Sequence, residues 1–434
     1  MDRIVFRNAN LVDGESPAQP GCSVVVEGAR IAQVTPGEVP AGPEDRVVDL
    51  GGRSLMPGMC SSHFHTTYRA VGATPAPSLG LEAPIPILTL FAAQNLELLL
   101  RHGFTSAAGS SVPGAIDASL RDAIEQGIIP GPRLYAGSRE LIATGDAADV
   151  GLRTWFYELG NLGSLALADG PMGFRNLVRQ EIQRGSDIIK LNVSTGHAVS
   201  VSDGRCTIEP DELRAAVSAA HRRGRKIRCH ASSRESILEC ARAGVDVIDH
   251  ADQIDQPGLE AVLKSGSFVT PTMLFSQKLL EALENYDLRE ISAADAQQLP
   301  FQPSGEGGEL MVRRMREDFD NMAAMLPELN RAGVRLLVGD DFGTQPIPHG
   351  TYGQELELYV KQIGIPALDV IRWATRNGAE MTGRGDELGT VSEGKLADLL
   401  VVEGDPLQDI ACLSNPSNLK AILKDGQFFK DELD

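Results

Sequence analysis

The chain has 434 residues, 42% of them hydrophobic, and its 40 basic and 59 acidic side chains leave a formal charge of −19. That length suffices for one large barrel with a smaller domain, or for two or three ordinary domains. The acidic balance comes with no basic run or aromatic-interleaved basic patch, so nucleic acid is excluded as an expected partner.

The opening MDRIVFRNANLVDG alternates like a strand and lacks the basic n-region and apolar h-region of a signal peptide, which predicts a cytoplasmic protein. Residues 1–53 and 385–434 both read as short strands separated by Gly and Asp turns, and together they predict one small β-sandwich built from the two chain ends. Between them, over 54–384, apolar runs alternate with amphipathic segments. The predicted strands are SLMPGM (54–59), FTSAAG (104–109), RLYAGS (133–138), DIIKLNV (187–193), KIRCHA (226–231), VDVIDHA (245–251), SFVTPTML (267–274) and RLLVGDD (335–341). Most precede helix-like segments such as PDELRAAVSAAHRRG and SRESILECARAG. Eight such strands predict an α/β fold, a (β/α)8 TIM-like barrel.

The most apolar window, APIPILTLFAAQNLELLL, holds two prolines with Gln94, Asn95 and Glu97, so no membrane span is expected. Six scattered cysteines without a CxxC pair indicate neither a thiolate zinc knuckle nor a disulfide framework. Two long connections, VGATPAPSLGLEAPIP and residues 276–310, read as lids or as surface elaboration.

Only eight histidines occur, yet His63 and His65 stand one residue apart in SSHFHTTYR. In an extended chain these two side chains point to one side and can converge. Lys190, His230, His250 and the pair Asp340 and Asp341 fall at or near other strand ends, where barrels of this type build their sites. Each has a plainer reading: a lone histidine is commonly a hydrogen-bonded core residue, and an Asp pair can cap a helix. Lys190 is harder to dismiss, because a buried ammonium must be paired, neutralised or modified. Imidazole and carboxylate together suit Zn²⁺, Mn²⁺, Co²⁺ or Fe²⁺, so the convergent residues predict a metal ion. Tyr68, Arg139, His197 and His349 are the candidates for substrate contact, with Arg69 a further basic neighbour. His102 and His221 read as structural.

The run MPGMCSSHFH, with Lys190, His230, His250 and Asp341 on later strands and the closing LGTVSEGKLADLLVVEGDPL, resembles the metal-dependent amidohydrolase superfamily over nearly the whole chain. KLNVSTGHAVS and AGVDVIDHADQID are similar to its prolidase-like and carboxypeptidase-like members, and PGPRLYAGSREL more weakly resembles phenylurea hydrolases. The resemblance implies two divalent ions, zinc foremost, with His63, His65 and Asp341 on one, His230 and His250 on the other, and a carboxylated Lys190 bridging them. Two features depart from the family pattern: Ser61-Ser62 where an acidic residue is usual before the first histidine, and GDDFG where Gly-Thr-Asp is usual.

The implied reaction is hydrolysis of a C–N bond in an amide, urea, carbamate or dipeptide, with Asp341 as general acid and base. The alternatives are a mononuclear deaminase or ring hydrolase, a lactonase or phosphotriesterase-like hydrolase, and a catalytically silent ligand-binding barrel. The expected partner is a small molecule, with homo-oligomers common among similar barrels. The absence of an evident arginine clamp among the rim residues favours a neutral substrate.

Overall fold

The computed structural model describes residues 3–70, 83–146, 163–197, 204–284, 286–287 and 305–433. The two long connections read as lids or as surface elaboration lie partly outside these residues, at 71–82, 285 and 288–304.

The chain begins in a sheet. β1 (Arg3–Leu11) pairs with β2 (Gln19–Glu27), which pairs with β3 (Arg30–Pro36). On its other edge β1 takes two short parallel strands in succession, β4 (Arg46–Asp49) against Ile4 to Arg7 and β5 (Ser54–Pro57) against Asn10 and Leu11. Alternate residues of β1 and β2, including Ile4, Phe6, Val24 and Val26, point into a core of their own.

The barrel strands follow: β6 (Met59–Phe64), β7 (Phe104–Gly109), β8 (Arg133–Tyr135), β9 (Gly137–Ile142), β10 (Leu165–Leu167), β11 (Ile188–Asn192), β12 (Lys226–Ala231), β13 (Val247–His250), β14 (Phe268–Thr270) and β15 (Arg335–Leu336). β8 and β9 act as one bent third strand between β7 and β11, and β10 adds beside β9. All these ladders are parallel. The eighth strand closes on the first through Ser62 N–H, which donates to the Val338 carbonyl at 2.7 Å. The resulting ring is a (β/α)8 barrel.

β16 (Leu399–Val402), β17 (Leu419–Lys424) and β18 (Gln427–Asp431) then return to the first sheet, β16 running antiparallel to β5. The two chain ends thus share one eight-stranded sheet whose enclosed core mixes Val24 and Val26 with Leu399, Val401 and Leu423.

Three predicted segments need correction. SLMPGM is not one barrel strand: Ser54–Pro57 belongs to the terminal sheet, Gly58 makes the transition, and the barrel begins at Met59. SFVTPTML stops as a strand at Thr270, because Pro271 has no N–H to give the ladder and Thr272 turns left-handed (φ 51°), after which a helix begins at Met273. RLLVGDD is paired as a strand only over Arg335–Leu336, with single bonds carrying it on to Val338.

The helices that follow the strands are α1 (Ile85–Arg101), α2 (Ile116–Glu125), α3 (Gly170–Gln183), α4 (Pro210–His221), α5 (Arg234–Ala243), α6 (Gln256–Ser265), α7 (Met273–Leu283) and α8 (Gly305–Ala332). Their sequences carry their own boundaries. Glu209 and Glu212 form a capping box at the start of α4, Ser233 accepts from Ser236 N–H at the start of α5, and Gly244 ends α5 at φ 80°. No helix among the described residues is long and apolar enough to cross a membrane.

Inside the barrel the side chains change character toward the C-terminal ends. Ala108, Ile188, Val247, Phe268 and Leu337 form an apolar layer with Met381. Two residues further along their strands stand Lys190 and Asp249 on that same inward face. The imidazoles lie beyond them.

Candidate active site

β6 brings His63 inward at its penultimate position, and His65 follows just beyond the strand. Both are buried, at 0% and 5% exposure. Their Nε2 atoms are 3.1 Å apart, and each lies 3.0 Å from Asp341 Oδ1. The loop is held from behind: Thr66 Oγ1 donates to Asp117 at 2.6 Å, and Asn95 Nδ2 donates to the carbonyls of Thr66 and Tyr68. The Tyr68 ring stacks on His65 at 3.9 Å, nearly parallel.

Burial drives His65 down to about 4, against the pull of Asp341, so it is a neutral imidazole with a lone pair to offer. Burial alone would raise Asp341, but His63 and the hydrogen bonds from His197, His63 and His65 hold its carboxyl well below the usual range.

Asp340 is turned the other way. Its Oδ2 accepts from the N–H groups of Leu274 and Phe275 at the start of α7, at 2.8 and 3.3 Å. The capping reading therefore holds for Asp340, and Asp341 is the carboxylate facing the histidines.

On the far side of the site, β13 ends at His250, where the chain turns left-handed (φ 72°), followed by Ala251 (φ 52°). Strained backbone of this kind is a feature of functional sites. Thr272 Oγ1 donates to the Pro271 carbonyl at 2.8 Å, so at 2.6 Å from His250 Nδ1 it accepts that proton and leaves His250 Nε2 with a free lone pair. His197 stacks on His250 at 3.9 Å, with its Nε2 3.4 Å from Asp341 Oδ2 and its Nδ1 3.3 Å from Asp252. The His230 ring lies 4.4 Å from that of His250, and its buried Nε2 has no partner among the described residues.

Among the described residues two sets of donors are close enough to hold an ion, His63 with His65 and Asp341, and His197 with His250 and Asp341. The second set contains His197, which sequence reasoning placed with the substrate, and omits His230. The donor chemistry fits divalent metals: burial lowers His65, His230 and His250 toward the neutral imidazole, Asp341 is an ionised carboxylate, and the buried His230 Nε2 is left unpartnered among the described residues.

Beneath the imidazoles lies a charged layer that the sequence reading only partly anticipated. Lys190 Nζ donates to Asp249 Oδ2 at 2.9 Å, so its ammonium is paired. Asp249 also takes Arg228 through Nε at 3.0 Å and Nη2 at 2.5 Å, and Arg228 Nη1 reaches the Ser62 carbonyl at 2.7 Å. Burial would raise Asp249, yet Arg228 and then Lys190 hold it well below the carboxylate range. Arg228 and Asp249 were missed, although an arginine inside KIRCHA carries the same signal as a lysine inside DIIKLNV. Glu140 was missed as well. It faces the site across from Lys190, its register partner, and accepts from Ser111 Oγ at 3.0 Å.

Two expected substrate contacts are engaged elsewhere. Arg139 alternates away from Glu140 and spends its Nε, Nη2 and backbone N–H on Glu181 of α3, with 2% of the residue exposed. His349 packs behind the loop, its ring 5.0 Å from Phe64 and its Nδ1 3.1 Å from the Tyr352 hydroxyl. Arg69 lies over the Phe91 ring. His102 bonds the Leu98 carbonyl and His221 bonds Asp246. All six cysteines are free.

Residues 54–429 match the model of the amidohydrolase family. The chain is 25% identical over 399 residues to ochratoxinase of Aspergillus niger, covering 87% of this chain and 75% of that protein. A Xaa-Pro dipeptidase solved with methionine in its active site superposes with a TM-score of 0.83 at 26% identity, over 99% of this chain and all of that one. The fold is also that of phenylurea hydrolase B, with a TM-score of 0.74 at 21% identity over 98% and 96% of the two chains.

Proposed function

The chain belongs to the amidohydrolase family, and from that premise we propose that it is a metal-dependent hydrolase of a C–N bond in a small amide, dipeptide, urea or carbamate. The observation that carries the reading is the convergence of His63 Nε2, His65 Nε2 and Asp341 Oδ1 within 3.1 Å of one another at the C-terminal ends of the first and eighth strands.

These three residues would hold one divalent ion, with zinc favoured by the imidazole and carboxylate donors. His230 and His250 would hold a second, and a carboxylated Lys190 would lie between them. An ion bound there lowers the pKa of water from about 15.7 to about 7 and polarises a carbonyl.

The chain's own groups do the rest. Asp341 Oδ2, turned away from His63 and His65, accepts a proton from the attacking water and returns it to the leaving nitrogen. His197, beside that oxygen, orients it. Tyr68 closes the wall over His65 and keeps bulk water from the ring. Arg139 being turned away, the described rim holds no arginine fork for a carboxylate, which supports a neutral substrate. The likeness to a Xaa-Pro dipeptidase supports a peptide-like amide. The free cysteines are in keeping with a cytoplasmic protein.

A second reading, a single-metal deaminase or ring hydrolase, is favoured by one observation, the pairing of Lys190 Nζ with Asp249. Metal content of the wild type and of Lys190→Ala, measured side by side, separates the two. Two ions falling to one or none supports the bridged site; one ion in both selects the second reading.

A further inference from the structure

His63 Nδ1 lies between two groups of opposite hydrogen-bonding character. Arg228 Nη2 is 3.0 Å away and can only donate, whereas Asp249 Oδ1 is 3.2 Å away and can only accept. A histidine that ligates through Nε2 must carry its proton on Nδ1, and that proton needs an acceptor. Asp249 is the acceptor in reach. Its own position is fixed by Arg228, whose fork takes both carboxylate oxygens while Nη1 ties the assembly to the Ser62 carbonyl beside His63.

Charge points the same way. Asp249 is one anion with two cationic partners, Arg228 and Lys190, all three buried. If Lys190 were its only partner, turning Lys190 toward a metal would leave a buried carboxylate uncompensated, which is strongly unfavourable. Arg228, which stays charged, removes that obstacle.

We propose that Arg228 is a positioning residue of the metal site: it locks Asp249 so that Asp249 holds His63 with Nε2 toward His65 and Asp341, independently of what Lys190 does. The inference rests on the metal-site reading above and adds to it the residue that sets the orientation of its first ligand.

Cobalt(II) titration of the full chain, followed by its visible ligand-field spectrum, tests this with Arg228→Met and Arg228→Lys beside the wild type. Cobalt affinity in Arg228→Met should fall about 10-fold to 100-fold with a changed spectrum. Arg228→Lys, which keeps the charge and loses the fork, should recover part of the affinity. If Arg228→Met does not fold, Arg228→Lys decides alone, since the lost fork must still weaken binding and alter the spectrum. Wild-type affinity and spectrum in the folded variants would overturn the positioning role while leaving the proposed function standing. A wild type that binds no cobalt would overturn both.

Discussion

Asp340 and Asp341 are neighbours in the chain, but their carboxylates serve different parts of the molecule. Asp341 Oδ1 sits 3.0 Å from both His63 and His65 Nε2, while Asp340 Oδ2 caps the start of α7 through Leu274 and Phe275. The turn that follows the eighth strand thus sends the two side chains to different partners, one to the histidines and one to a helix start. Asp341→Asn should therefore abolish turnover while the melting temperature stays near that of the wild type. Asp340→Ala should instead leave two buried N–H groups unsatisfied and cost about 1–3 kcal/mol of stability. Thermal unfolding and activity measured on both variants check the assignment, and a fully active Asp341→Asn would refute it.

His230 and His197 are rival ligands for the second ion of the proposed site. His230 Nε2 is buried without a partner among the described residues, whereas His197 already has Asp252 and Asp341. Burial would lower His197, yet Asp252 and Asp341 raise it to about 10, which marks it as a charged partner of these carboxylates. His230→Ala should lose one equivalent of metal by elemental analysis. His197→Ala should keep both ions and lose at least about 10-fold in kcat, from a less well placed Asp341. The reverse pattern would make His197 the ligand, as the second donor set has it.

The barrel and most of this site were readable because their signals are local. A lone strand's alternation places His63 inward, and an apolar run with one charge, as in DIIKLNV, marks Lys190. What was missed depends on contacts between strands. Arg228, Asp249 and Lys190 lie on three neighbouring strands, and only their register shows that one carboxylate serves two cations. The division at Gly58 was hidden for a related reason: Ser54–Pro57 and Met59–Phe64 are both buried strands, and the choice of sheet is made by their partners, β16 and β7. Arg139 shows the limit of proximity in sequence, since it adjoins an inward Glu140 and so points outward.

That outward placement can be tested. Arg139→Ala removes the fork that balances Glu181 and leaves it with Arg184, whose Nη1 lies 3.2 Å from the carboxylate. Breaking a buried pair in this way costs about 3 kcal/mol or more, so the variant should melt well below the wild type with KM unchanged. A raised KM at unchanged stability would return Arg139 to the substrate.

The loop that carries the histidine pair is fastened by a carboxyl that disfavours its own ionised form. Burial raises Asp117 to about 7, although Thr66 Oγ1 and Gly137 N–H, its hydrogen-bond donors, pull it down. An unfolded aspartate ionises near 3.9. Between these values the folded chain binds more protons than the unfolded one, so stability is lost as pH rises from about 4 to about 7 and then levels off. From about pH 5 to 7 the loss is on the order of 2 kcal/mol. Asp117→Asn keeps the shape that fits against Gly109 but cannot ionise, so its melting temperature should fall less over that interval. Parallel melting curves at several pH values decide the matter, and equal slopes in both proteins would show that Asp117 is not the titrating group.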